Sequence, residues 1–170
     1  MNMYLTIRVL HILLAATWFG AAVAMMFFVM PAIKDAKGAG GAVMAGLQSR
    51  KYPMIMQAIA GLTVLTGFDL YRRFTGNFDP VLSGSMGGRV FGAGAIAGIL
   101  ALIVGASIVG RTMKKIGETM AKASTMADGP EKAALVASVG PMQARAEMFG
   151  KLVIVLMVIA IVTMSIGHYV

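Results

Sequence analysis

The run from Val9 to Met30 holds only two strongly polar side chains, His11 and Thr17. As an α-helix rising ~1.5 Å per residue, it is long enough to cross a hydrocarbon core ~30 Å thick. A chain with such a segment near its start must satisfy its backbone hydrogen bonds within helices and place its polar side chains where a neighbouring helix can meet them. His11 is therefore an ionisable group at membrane depth, which by its cost marks a functional position. The other histidine is His168.

Composition agrees with a membrane protein: 58% of the residues are hydrophobic, 13% are charged, and the mean hydropathy is +0.81. The absence of cysteine excludes disulfides, thiolate metal sites and cysteine nucleophiles. The net charge of +8 resides in loops between apolar segments, so anionic lipid headgroups rather than nucleic acid are the expected counter-charge. Ala22-Val23-Ala24 has the form of a signal-peptidase site, but six further apolar residues follow at once, and the segment reads as an anchor.

Three more spans follow. The expected boundaries of the four are about 5–30, 53–70, 90–109 and 149–168, in a single all-α domain, an up-down four-helix bundle. Pro53 suits the first turn of the second span. The Gly38–Gly41 cluster predicts a loop with one short amphipathic turn between the first two spans, and 74–88 reads as turns. The third span carries a stripe of Gly94, Ala97, Gly98, Ala101 and Gly105, suited to close packing, to a flat ligand, or to docking of a second copy or a larger complex. Its charged continuation to Ala127 and a short helix at 131–138 project from the bilayer, and Gly140-Pro141 predicts a further break before the last helix.

The first and third loops collect Lys34, Lys37, Arg50, Lys51, Arg111, Lys114, Lys115, Lys122, Lys132, Arg145 and Lys151, against Arg8, Arg72, Arg73 and Arg89 on the other side. The positive-inside rule places those loops, with the extensions of the third and fourth helices, in the cytoplasm. Both termini, and with them His11 and His168, then lie at the periplasmic face.

His11, Ala15, Trp18, Ala22 and Met25 share one helical stripe, as do Met157, Ile161, Met164 and His168. Two imidazoles from different helices at one level are the axial set of a b-type haem. Trp18, Arg89 and Met164 complete the expected pocket, Arg89 as the partner of a propionate. Neighbouring helices pack ~8–10 Å apart, tight for a porphyrin between the first and fourth, and the small residues of the third could relieve this. Copper is the competing ligand, held by His11 and His168 with Met1, Met3 and Met164 as soft thioethers. Without a ligand, His168 is an interfacial residue beside Tyr169, and most methionines are lipid-facing or core filler.

The segment Val9-Leu-His11-Ile-Leu-Leu-Ala-Ala-Thr-Trp18-Phe-Gly20 resembles the first helix of the HemJ-type protoporphyrinogen oxidases and of the wider CopD-like membrane families, and Leu62-Thr-Val-Leu-Thr66-Gly67 is similar to their second. The resemblance implies a four-helix bacterial inner-membrane protein in which the His11 position binds haem and any enzymatic activity is that of an oxidoreductase. In the HemJ type a lysine opens the third helix; here the nearest candidate is Arg89, and no lysine lies in 90–109. The function classes carried forward are a haem b protein of redox chemistry or electron transfer, a copper-binding or copper-transport protein, and an accessory subunit of a membrane complex.

Overall fold

The structure, a computed structural model, describes residues 2–36 and 40–170. Among them it is all-α, with six helices: α1 Met3–Asp35, α2 Gly40–Ser49, α3 Tyr52–Phe74, α4 Pro80–Gly84, α5 Met86–Ser124 and α6 Pro130–Ile166. Four of these, α1, α3, α5 and α6, are long and apolar enough to cross a membrane. Val9, Leu13, Phe28, Leu65, Ile96 and Val155 stand exposed on their outer faces, as side chains that meet lipid do.

Local chemistry sets the helix starts. The Asn2 side chain accepts from the Tyr4 N–H at 3.1 Å, Asp79 accepts from Val81 and Leu82 ahead of α4, and Ser85 accepts from Gly88 at the start of α5. Pro53, Pro80 and Pro130 occupy first turns, where a missing N–H costs nothing.

Three sequence expectations change. Gly40–Ser49 forms a ten-residue helix rather than a single turn, because two of its three glycines fall at the start and Ala42–Gln48, Gly46 apart, is mostly good helix former. Gly38 itself lies outside the described residues. The break before the last span falls at Ser138 rather than at Gly140-Pro141: α6 turns there between Pro130–Ala137 and Val139–Ile166, and Pro141 sits in the first turn of the second part, where N–H groups have no helical acceptor. Both α1 and α5 also contain a widened π segment, Met25–Val29 and Gly105–Gly110. The first lies just before Pro31, whose ring would clash with the Phe27 carbonyl in a regular helix, and the extra residue in the turn relieves that contact.

The spans pack in sequence order around the bundle, α1 on α3, α3 on α5 and α5 on α6, with only sparse contact between α1 and α6. That contact is concentrated at mid-height, where Trp18, Phe19 and Ala22 press on Ala101, Val153 and Met157. Ala101 is 0% exposed. Above and below this plug the bundle opens into two cavities, one at the end that carries both histidines and one at the end that carries the lysine-rich loops. At the lysine end Lys34 of α1 and Lys151 of α6 share Glu147, at 2.8 and 2.9 Å. At the other end Asp69 pairs with Arg72 at 3.0 Å and with Arg73 at 2.6 Å.

The small-residue stripe of α5 divides between these tasks. Phe91, Gly94, Ala97 and Ala101 are buried inside the bundle, so the stripe is not an outward docking face: its missing side chains make room for α6. A Cβ on Gly94 would meet the Thr163 hydroxyl, the Met164 methyl at 3.2 Å and the Ala160 carbonyl at 3.4 Å, whereas one on Gly98 meets nothing within 4 Å. Gly94→Ala is accordingly expected to lose about 1–3 kcal/mol of stability in thermal unfolding in detergent. Gly98→Ala should be neutral or gain up to ~1 kcal/mol from helix propensity, and equal effects of the two would contradict this packing.

Candidate functional site

His11 sits on the face of α1 that packs against α3, and the seat for its ring is a glycine. A Cβ on Gly67 would lie 2.8 Å from the imidazole Cε1 and 3.4 Å from Nδ1, so only a residue without a side chain lets the ring approach α3 this closely. The Nδ1 lies 2.9 Å from the Thr63 carbonyl oxygen and 3.1 Å from the Thr66 hydroxyl. A carbonyl can only accept, so Nδ1 carries the proton and donates, which assigns the tautomer with an unprotonated Nε2. Thr66 donates its own proton within α3, to the Leu62 carbonyl at 2.7 Å or that of Thr63 at 3.0 Å, leaving its lone pairs available to His11. Nε2 makes no hydrogen bond among the described residues. A fixed Nδ1–H···O=C contact with a free Nε2 lone pair is the arrangement in which histidine serves as a metal ligand.

Beside this ring lies a cavity of about 610 Å³, within the ~300–1,000 Å³ range of cofactor and ligand sites. All four spans line it. Its wall is aromatic where Phe68, Tyr71 and Phe74 of α3 meet Phe91 of α5, and flat where Gly94, Ala95 and Gly98 offer no side chain or a single methyl. The aromatic wall is braced from behind. Thr75, fully buried, donates to the Tyr71 carbonyl at 2.9 Å and accepts from the Phe78 N–H at 3.3 Å, and the Phe78 ring rests 5.5 Å from Phe68 and 6.1 Å from Tyr71. Phe78 holds a left-handed backbone at φ 67°, costly for a bulky residue, so this brace is maintained against strain.

His168 lines the same cavity. It lies two residues past the end of α6, and its ring stands edge-on to Phe91 at 4.9 Å and to Phe74 at 6.0 Å between centroids. Its nitrogens make no hydrogen bond among the described residues, so the ring is positioned by aromatic packing alone. Gly167 permits this, since a Cβ there would strike the Phe91 ring at 2.8 Å. Trp18 and Met164 also line the cavity.

Of the residues expected from the sequence, the structure thus brings together His11, His168, Trp18 and Met164. Arg89 does not join them: it is exposed, outside the lining, because its position in the first turn of α5 points it away from the interior. The cation at this cavity is Arg8, accompanied by Tyr4. The signal for both was present in the 4-3-4 spacing of Tyr4, Arg8, His11 and Ala15 along one helical face. Met3 is likewise absent from the lining; it is 65% exposed, and its sulfur lies 3.7 Å from the Arg73 guanidinium. Met1 lies outside the described residues. No group of three or more His, Cys, Asp or Glu side chains converges on a metal position among the described residues.

The second cavity, of about 640 Å³, occupies the lysine end and has a different lining. Methionines dominate it: Met25, Met26 and Met30 of α1, Met44 of α2, Met54 and Met56 of α3, and Met113 of α5. Both π segments open onto it, the first through Met25 and Met26 and the second through Gly105, Ala106, Val109 and Gly110. Trp18 lines both cavities, one on each side of the plug.

No protein-family model, curated protein or solved structure matches this chain, so its function is read from the chemistry of these cavities.

Proposed function

We propose that the protein is a b-type haem protein of the bacterial inner membrane, acting in redox chemistry or electron transfer near the periplasmic face. The single observation that carries this reading is His11: its Nδ1–H is committed to the Thr63 carbonyl, its Nε2 is free, and it stands beside an aromatic cavity of cofactor size that His168 also lines. The lining suits the group. Sparse contact between α1 and α6 gives the space that two adjacent helices would otherwise deny a porphyrin, and the Gly94-Ala95-Gly98 surface with its aromatic neighbours accepts a flat apolar ring. His11 and His168 would hold the iron, and Arg8 with Tyr4 would meet the propionates. Haem supplies one-electron chemistry at iron. The protein's own part is to fix the imidazole tautomer, to exclude water with the mid-height plug, and to orient the ring against α5.

The copper reading draws on the same two histidines with Met164, but of its described N-terminal thioethers Met3 lies against Arg73 instead of at the cavity. The two readings separate by spectrum. Full-length protein purified in mild detergent from haem-replete cells should show a Soret band, with sharp α and β bands on reduction. His11→Ala should abolish or nearly abolish haem retention. Gly67→Leu should do the same by expelling the ring from its seat. Thr66→Val, which leaves the Thr63 carbonyl in place, should weaken binding by about tenfold, the lower end of the effect of removing a partner of a metal-bound histidine. His168→Ala should keep some haem but convert it to a high-spin form. A colourless preparation carrying stoichiometric copper, further weakened by Met164→Leu, would replace the haem reading with the copper one.

The orientation in this reading follows the lysine-rich loops, which lie on the cytoplasmic side by the positive-inside rule. A topology reporter fused after Val170 is expected to read as periplasmic and one inserted near Gly40 as cytoplasmic. The reverse pattern would move the histidine cavity to the cytoplasmic face.

A further inference from the structure

The methionine-lined cavity at the lysine end has no part in the haem reading, and its construction is that of a binding site. Its walls are flexible, polarizable thioethers, the side chains that adapt to bulky apolar ligands of varied shape. Its charged lining is Lys34, Lys51, Lys114 and Glu147, an excess of positive charge at the edge of an apolar chamber. Glu147 is already shared by Lys34 and Lys151, and Lys114 lies 3.8 Å from Glu118. Lys51 alone of the three lining lysines has no ion pair among the described residues. It is also held in the left-handed region at φ 55° and ψ 26°, where a lysine is uncommon, at the entrance to α3. Next to it the Tyr52 hydroxyl donates to the Ala21 carbonyl at 3.4 Å, tying this corner to α1. The two π segments, each an added residue in a helical turn, flank the chamber from opposite sides, and such segments recur at functional sites.

We infer that this cavity binds an acyl-chain amphiphile with an anionic head group, the chain lying among the methionines and the carboxylate or phosphate meeting Lys51. The volume of about 640 Å³ is of the size that holds a single long chain. The positive rim selects an anion over a zwitterion, and with no carboxylate partner among the described residues Lys51 is left to the ligand. This inference is independent of the haem reading, since it concerns the opposite side of the plug.

The chain carries its own reporter. Trp18 is the only tryptophan and lines the cavities on both sides of the plug, so a brominated chain in contact with it quenches the intrinsic fluorescence, and substitutions at Lys51 and Ala106, which line the lysine-end cavity alone, assign the quenching to this side. The full-length protein in a non-ionic detergent is titrated with dibromostearate, with phosphatidylglycerol bearing dibrominated chains, and with phosphatidylcholine bearing the same chains. Saturable quenching by at least one anionic probe, beyond that produced by the phosphatidylcholine, is expected, and whichever anion saturates identifies the source as a free fatty acid or an anionic phospholipid. Lys51→Asn, which tolerates the left-handed backbone, should raise the half-saturating concentration about tenfold, the loss of one charge-assisted contact. Lys51→Arg should restore it. Ala106→Phe, which fills the chamber, should abolish saturable quenching, with far-ultraviolet circular dichroism verifying that the helices persist. Anionic and zwitterionic probes that quench alike, or a saturation curve unmoved by Lys51→Asn and Ala106→Phe, would overturn the inference.

Discussion

The contact between the His11 imidazole and the backbone of α3 is the constraint on which the histidine end of the molecule depends. Burying a polar ring at membrane depth without a partner costs several kcal/mol. The chain meets that cost with a main-chain carbonyl, which cannot be rotated away or titrated. The price of reaching it is steric, and Gly67 meets it by having no Cβ in the space that the ring occupies. A bond to a backbone acceptor also decides the tautomer once and for all, so the reactive lone pair is always on Nε2. Approach of α1 to α3, direction of the ring and availability of a ligand nitrogen are therefore one event.

The second organising element is the plug at mid-height. Trp18, Phe19 and Ala22 reach from α1 to Ala101 on α5 and to Val153 and Met157 on α6, and the fully buried Ala101 shows how closely the backbones come together there. On either side of this contact the helices enclose a chamber, each within a distinct electrostatic setting. The histidine chamber is aromatic and braced by a strained turn at Gly76–Phe78. The lysine chamber is thioether-rich and bordered by π segments and by cations. Rigid aromatic walls suit a flat ring held in one orientation; flexible methionines suit a chain that has many.

The number, order and approximate limits of the four spans were legible in the sequence because hydropathy over twenty residues depends on the bilayer, not on neighbours. The shared level of His11 and His168 followed from counting along an up-down bundle, and both residues do line one cavity. What one-dimensional reading lacked was register between helices. Thr66-Gly67 stood out only as a motif, and its role as acceptor and seat for His11 appears when α1 and α3 are placed side by side. Arg89 reads as the propionate partner from its position at a helix start, whereas the 4-3-4 spacing around His11 points to Arg8, the cation that lines the cavity. The π segments escaped notice because hydrophobic periodicity is blind to one added residue in a uniformly apolar stretch. Pro141 reads as a break only when the helix is assumed to begin after it; with Ser138 as the start, the same proline is an ordinary first-turn residue.

Whether the free nitrogen of His11 reaches iron can be measured directly. Pulsed electron paramagnetic resonance of the oxidised haem protein, grown with ¹⁵N-labelled histidine and unlabelled haem, records hyperfine coupling from each coordinated imidazole. Coupling to two labelled nitrogens is expected in the unmodified protein, falling to one in His168→Ala. A haem signal that carries no histidine coupling would contradict the assignment of His11 as the ligand and, with it, the function built on that residue.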